Sequence, residues 1–330
     1  MKNKTIPITD KTNFKNLLKN LKEAETIAIT GHIRPDGDCI GSCLALAEVL
    51  RSWDKTTHVF IDGDIPENLS YLRGLKTINA DAMLEKYDLL VILDLSQDVR
   101  LGSNVELRSH AKKIICIDHH LNPQIKSNIL ISNPARASTG EILFEFFLKE
   151  NIPFDKDIAA ALYTAIASDT GCFLFSNTTP FTHRAVARIM EEDLDIEHIN
   201  FQNFRSYDPK SIPSAHYVLK HIRFLNKGRV SLIVLPYKVL SKYHMSHDDR
   251  HKYAKYGTDA NGVLVSIFMT EQEPNSFNVS LRSTGNYSVA SVAEALGGGG
   301  HKNAAGVTLT GDAKTVETQV LTEIAKILPQ

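Results

Sequence analysis

In the first half of the chain, short apolar runs alternate with polar or glycine-containing segments and then with apolar residues at helical spacing. TIAIT (26–30), VFI (59–61), LLVIL (89–93) and KIICI (113–117) read as strands. Between the first two, Leu44, Leu46, Ala47 and Leu50 recur at the spacing of one helix face. Strands this continuously apolar are buried on both faces, so the pattern predicts an α/β fold whose mainly parallel sheet is flanked by helices. From 138 to 190 the pattern is helical: Ile142, Leu143, Phe146 and Phe147 make one stripe, and AAALYTAIA (159–167) reads as a buried helix of small residues. The more polar stretch 191–224, with its DPKSIP, reads as a linker. Beyond it, RVSLIVLP (229–236), GVLVSIFMT (262–270) and SFNVSLRS (276–283) read as strands. A helical turn at 289–296, a glycine run, the strand GVTLT (306–310) and a helix over 313–327 follow. Two domains are expected, an N-terminal one at 1–190 and a smaller C-terminal α/β one at 225–330, with a cleft between them.

Composition narrows the class. The chain has 330 residues, 43% hydrophobic and 23% charged, which is the make-up of a globular protein rather than a disordered or membrane one. A net charge of -1 argues against a broad electrostatic grip on duplex DNA, which needs many lysines and arginines facing phosphates. An anionic partner is therefore expected to be short. The first residues, MKNKTIPITDKTNF, hold no apolar core followed by a small-residue cleavage site, and no apolar run reaches membrane-spanning length. Cys39, Cys43, Cys116 and Cys172 form no C-x-x-C pair and sit mostly in or beside apolar stretches. These features favour the reducing cytoplasm and no membrane association.

The chemistry lies where acidic and imidazole groups fall relative to the strands. TIAIT leads into GHIRPDGD, LLVIL into Asp94, and KIICI into Asp118, His119 and His120. In open parallel sheets the carboxyl ends of the strands share one edge, where ligands bind. Asp169 follows the small-residue helix. So many carboxylates in one place repel one another unless a cation neutralises them. A mixture of carboxylates and imidazoles without thiolate suits Mn2+, with Mg2+ or Co2+ also accommodated. Seven or eight donors exceed the needs of one ion and suit two, about 4 Å apart, the arrangement that activates hydroxide for phosphoryl displacement. Each piece alone has a plainer reading: an Asp-rich loop before a helix often only caps it, and Asp38 could serve as the N-cap. The joint placement favours metal.

In the second domain, GGGGHKNAAG lacks the ending of a Walker loop and does not complete a dinucleotide fingerprint. Successive glycine N–H groups can turn toward one anion, with His301 and Lys302 beside it; a plain glycine-rich turn is the alternative. Arg282, at the end of SFNVSLRS, can grip phosphate, and Ser283 can add a hydroxyl.

GHIRPDGDCIGS, the Asp94 strand, IDHH and ASDTG, in this order, resemble the DHH phosphoesterases. SLRSTGNYSVASVAEALGGGGHKNAAG resembles their DHH-associated C-terminal domain. The whole is most similar to the small stand-alone branch of nanoRNase or oligoribonuclease type. The resemblance implies that His32, Asp36 and Asp94 hold one Mn2+ and that Asp38, Asp94, His119 and Asp169 hold the other, with Asp94 as the bridge. Asp118 would orient its neighbours, and His120 would face the scissile phosphate. Arg282, Ser283, Gly298, Gly299, Gly300 and His301 would contact the nucleotide. The expected activity is hydrolysis of very short RNA to mononucleotides, together with dephosphorylation of 3'-phosphoadenosine-5'-phosphate to AMP. The alternatives are a phosphatase acting mainly on that bisphosphate, or a phosphodiesterase of linear or cyclic dinucleotides. Pyrophosphate hydrolysis is disfavoured by the glycine-rich His301 segment, and a non-catalytic RNA-binding module would need no metal. A monomer or a homodimer is expected.

Overall fold

The computed structural model describes residues 11–121, 123–206, 209, 212–243, 245, 253 and 256–329, without the side chains of 11–13 and 301. The chain divides into two compact units, Met1–Ser206 and Tyr207–Gln330.

The first unit runs α1 (Lys11–Glu23), β1 (Thr26–Thr30), α2 (Gly37–Arg51), β2 (Thr56–Phe60), β3 (Leu89–Leu93), α3 (Leu107–His110), β4 (Ile114–Asp118), β5 (Ile129–Ser132), α4 (Thr139–Lys149), α5 (Lys156–Asp169), α6 (Pro180–Met190) and α7 (Ile196–Asn200). All five strands are parallel, in the order β2-β1-β3-β4-β5. One face buries Ile27, Ile29, Val91 and Ile117 against α1, α2, α4, α5 and α6. The other buries Ala28, Leu90, Ile92 and Cys116 against Leu95, Leu101 and Leu107. Both faces are thus covered, as continuous apolar strands require. The chain steps from β1 outward to β2 and returns on the other side of β1 to form β3. That reversal opens a crevice beyond the carboxyl ends of β1 and β3.

Helices α2 and α5 pack unusually closely, because glycines face the partner helix. A Cβ at Gly41 would stand 2.4 Å from the Ala161 carbonyl oxygen, and one at Gly37 would stand 2.7 Å from the Ser168 Cβ. The contact joins the beginning of α2 to the end of α5.

The second unit contains α8 (Ile212–Lys220), β6 (Arg223–Leu225), β7 (Val230–Leu235), α9 (Tyr237–Tyr243), β8 (Val265–Glu273), β9 (Ser276–Ser283), α10 (Val289–Ala295), β10 (Gly299–His301), β11 (Ala304–Thr310) and α11 (Ala313–Ala325). Its mixed sheet has the order β10-β11-β9-β8-β7-β6, with only the β7–β8 pair parallel. Val265, Ile267, Val279 and Leu281 pack on Val292, Val316 and Val320 of α10 and α11. Ile233, Leu235 and Phe268 pack on Val218 of α8 and on Tyr253.

Candidate metal centre

His32 follows β1, Asp94 follows β3, and Asp118 ends β4 with His119 and His120 beyond it. The register pairs Thr30 with Ile92 and Leu93 with Ile117, so these strand ends are level. Asp36 and Asp38 arrive on the first turn of α2, and Asp169 is the last residue of α5. Ligand atoms within 4.8 Å of one another define three groups: His32 with Asp36 and Asp94, Asp38 with His119 and Asp169, and Asp94 with His119 and His120. Asp94 belongs to two of them. Its Oδ2 lies 3.3 Å from His32 Nε2, and its Oδ1 lies 3.5 Å from His119 Nε2. His119 Nε2 is 3.0 Å from Asp169 and 3.9 Å from Asp38, and His32 Nε2 is 3.8 Å from Asp36.

Local structure explains why each group is held there. Asp36, and not Asp38, is the N-cap of α2: its Oδ1 accepts from the backbone N–H of Asp38 and Cys39. Asp38 turns inward instead, where its carboxylate accepts from Thr139 N at 2.7 Å, Gly140 N at 2.9 Å and Ser42 Oγ at 3.1 Å. The positive end of α4 therefore faces a fully buried carboxylate. Asp94 has a left-handed backbone, with φ of 54°, a conformation that Asp and Asn adopt most readily among non-glycine residues. Thr139 Oγ1 donates to Asp94 at 3.4 Å. Thr139 and Ser42 are site residues that the strand-end argument misses. The Ser138–Glu141 pair, with Ser138 capping α4, was the available sequence signal for a helix start at that place.

The electrostatics are those of a cluster that lacks countercharge. Burial, then Asp94 and Asp169, push Asp38 well above the usual carboxylate range. Burial, with Asp94 and Asp36, raises Asp169 to about 6 against the opposing pull of His119. Burial would raise Asp94 too, yet His119 and His32 hold it well below its ordinary value. For the imidazoles burial acts downward but is outweighed: Asp36 and Asp94 push His32 up to about 12, and Asp169 and Asp94 push His119 up to about 12. A bound divalent cation would neutralise the same carboxylates. Two further observations fit such ions. In the neutral ring, the contact of His32 Nδ1 with the Ile33 carbonyl at 2.8 Å puts the proton on Nδ1 and leaves the lone pair of Nε2, the atom facing Asp94, free to bind an ion. Asp169 sits at the carboxyl end of a helix, where cations are favoured.

His120 differs from its neighbour. Its Nδ1 is 2.7 Å from Asp118 Oδ1, closer than to Asp94 at 3.7 Å. Asp118 is fully buried and aligns His120 rather than His119.

In the second unit, Arg282 lies on β9 opposite Ala304, which lies opposite His301. Directly paired residues share a face, so Ala304 and Arg282 lie in one row across the sheet; the side chain of His301 lies outside the described ones. Burial lowers the Arg282 guanidinium, whose NH1 donates to the Leu281 carbonyl, and among the described residues no carboxylate pairs with it. Ser283 points the other way. Its hydroxyl donates to Tyr287 O at 2.6 Å and accepts from Asn303 Nδ2 at 2.9 Å, so it secures the following turn rather than standing beside Arg282. The glycine run forms an edge strand rather than an open loop. Gly299 and Gly300 pair with Gly306 and Ala305, and a Cβ at Gly298 would meet the Gly306 carbonyl oxygen at 2.3 Å.

The chain is a hydrolytic phosphoesterase built from a DHH domain and a DHHA1 domain. Residues 26–166 match the DHH family N-terminal domain, and residues 235–328 match the DHHA1 domain. More particularly, it is 26% identical over 297 residues to the probable bifunctional oligoribonuclease and PAP phosphatase NrnA of Streptococcus mutans, covering 89% of this chain and 93% of that protein. It is 29% identical over 292 residues to the bifunctional oligoribonuclease and PAP phosphatase NrnA of Thermus thermophilus, covering 86% and 84%. An exopolyphosphatase-related protein of Bacteroides fragilis has the same fold, with a TM-score of 0.89 at 25% identity over 96% of each chain. Among the described residues no helix is long and apolar enough to cross a membrane.

Proposed function

We propose that this chain hydrolyses very short RNA oligonucleotides to mononucleotides and, with the same site, converts 3'-phosphoadenosine-5'-phosphate to AMP. The observation that carries the reading is the pair of carboxylate–imidazole groups sharing the buried Asp94, in a chain whose relatives, matched over most of their length, are named for both activities. His32, Asp36 and Asp94 would hold one divalent ion, and Asp38, Asp94, His119 and Asp169 the second; Mn2+ suits this donor set, with Mg2+ or Co2+ as substitutes. Such ions supply an activated hydroxide and stabilise the charge developing on phosphorus.

The chain's own groups do the rest. Asp118 fixes His120 through Nδ1, leaving Nε2 to meet the scissile phosphate and to protonate the departing oxygen. Arg282, a partly buried cation that no carboxylate among the described residues pairs with, grips a second phosphate together with the segment from Gly298 to His301, while Ser283 braces the turn behind it. Residues 1–190 act as the catalytic domain, 191–224 as a linker and 225–330 as the substrate-binding domain. The protein works in the cytoplasm as a monomer or homodimer on short RNA or nucleotides, not on duplex DNA or at a membrane.

The test is turnover with Mn2+ of four substrates in parallel: a 5'-phosphorylated dinucleotide RNA, a 20-nucleotide RNA, the adenosine bisphosphate and pyrophosphate. The dinucleotide and the bisphosphate should be hydrolysed fastest, and Arg282→Gln should raise KM for both by about tenfold or more, as loss of a charge-assisted contact does. Cleavage of pyrophosphate alone, or RNA binding without turnover, would overturn the reading.

A further inference from the structure

The segment after Asp169 is built in an unusual way. Gly171, Cys172 and Phe173 are three successive residues with left-handed backbones, at φ of 55°, 56° and 68°. Two of them carry side chains that disfavour this conformation, by about 1 kcal/mol or more each. The turn is nevertheless firmly tied. Cys172 N donates to Ala167 O at 2.7 Å, Leu174 N and Phe175 N both donate to Thr170 O at 3.0 Å, and Phe173 N donates to Thr170 Oγ1 at 3.2 Å. Asn177 Nδ2 then donates to the carbonyl of Asp169 itself at 3.0 Å. Phe173 is packed inward against Tyr163 and His183.

This rigid turn holds its next two residues out in water. Leu174 is 84% exposed and Phe175 is 50% exposed. The Phe175 ring lies against Gly171, where a Cβ would come within 2.5 Å of it, so the glycine backbone supports one side of the ring. Strain that persists because surrounding bonds enforce it is characteristic of functional segments. Here its effect is to present a flat apolar group on a turn bonded to the Asp169 carbonyl, a few residues along the chain from one carboxylate of the charged cluster. A nucleotide is a molecule with matching parts, an anionic phosphate joined to a planar base.

We propose that Phe175, flanked by Leu174, is the platform on which a base of the nucleotide substrate stacks while its phosphate lies at the Asp94 cluster. The inference rests on the phosphoesterase reading above and adds a residue that contacts the base. Stacking on an aromatic ring is sequence-tolerant, so the platform secures any base rather than selecting one.

The test compares wild type with Phe175→Ala and Phe175→Trp on a 5'-phosphorylated dinucleotide and on two analogues in which one or the other base is replaced by hydrogen. Phe175→Ala is expected to raise KM for the intact dinucleotide about ten- to hundredfold, the usual cost of losing one stacked base. kcat should change little, and Phe175→Trp should restore KM. The penalty should vanish with one of the two abasic analogues. Metal content and melting temperature are read on each variant to show that the Asp169 end is intact. An unchanged KM, or an equal penalty on both abasic analogues, overturns the platform while leaving the phosphoesterase reading in place. A wild type that does not cleave the dinucleotide overturns both. Dissociation of a wild-type dimer by Phe175→Ala, seen by sedimentation, would instead assign the exposed ring to a second copy of the chain and overturn the proposal.

Discussion

Replacing Asp94 by asparagine removes one negative charge and almost no volume, so its effect isolates what that charge does. The carboxylate is 3.3 Å from His32 Nε2 and 3.5 Å from His119 Nε2. At an effective dielectric near 20, each contact represents about 5 kcal/mol of Coulomb attraction. Asp94 is the residue common to the His32–Asp36 group and the His119–His120 group. Asp94→Asn is therefore expected to empty both halves of the centre. Asp36→Asn, which touches only the His32 group and still caps α2 as asparagine does, should empty one. After dialysis against Mn2+, elemental analysis should find two ions per wild-type chain, one in Asp36→Asn and none in Asp94→Asn. Turnover of a dinucleotide by Asp94→Asn should fall by about a thousandfold or more, since metal stabilisation of the reaction amounts to several kcal/mol and each decade takes about 1.4. Backbone conformation gives an internal control. Alanine is strained at the left-handed φ of 54° that asparagine accepts, so Asp94→Ala should be less stable than Asp94→Asn by about 1 kcal/mol while losing the same ions. An Asp94→Asn protein that keeps two ions and works within tenfold of wild type would refute the shared-ligand argument.

Three further outcomes follow from the same geometry. Asp118→Asn should retain both ions but lower kcat about a hundredfold, because His120 loses the carboxylate that fixes its ring; kinetics paired with metal analysis separates this from ligand loss. Loading with Mn2+ should release protons, measured by calorimetry in buffers of different ionisation heat, since His32 and His119 are pushed up to about 12 and Asp169 to about 6 without metal. The sign for stability follows. These groups bind more protons folded than unfolded, so the metal-free protein should lose stability as pH rises from 6.5 to 8.5, by at most about 1.4 kcal/mol per pH unit for each imidazole. The loaded protein should not show this slope, and a metal-free protein equally stable at both ends of the range would contradict the charge balance described.

The parallel sheet was legible because β1, β3 and β4 are almost unbroken apolar runs, and doubly covered strands have no other pattern. Their ends predicted where His32, Asp94 and His119 meet. The short strands β5, β6 and β10 were not read: β5 is a four-residue edge strand, and β10 is made of glycine and histidine, whose pairing with β11 no propensity announces. The reading of Asp38 as a possible cap failed for a local reason. Either Asp36 or Asp38 could start α2, and only the position of α4, whose N–H groups claim Asp38, decides between them. Ser283 looked available because a strand-end hydroxyl next to an arginine is ambiguous until the strand's faces are assigned. Phe175 carried no signal, since aromatic residues in a sequence are more often core.

Gly41 lets α2 touch the backbone of α5, and Gly37 makes room for the Ser168 side chain of the same helix. One helix delivers Asp38 and the other Asp169, so the separation of these two carboxylates is gauged by glycines rather than by the residues that would bind an ion. The span available to a guest cation is thus inherited from the scaffold, and a single added methyl along that seam would recalibrate the centre without altering one of its ligands.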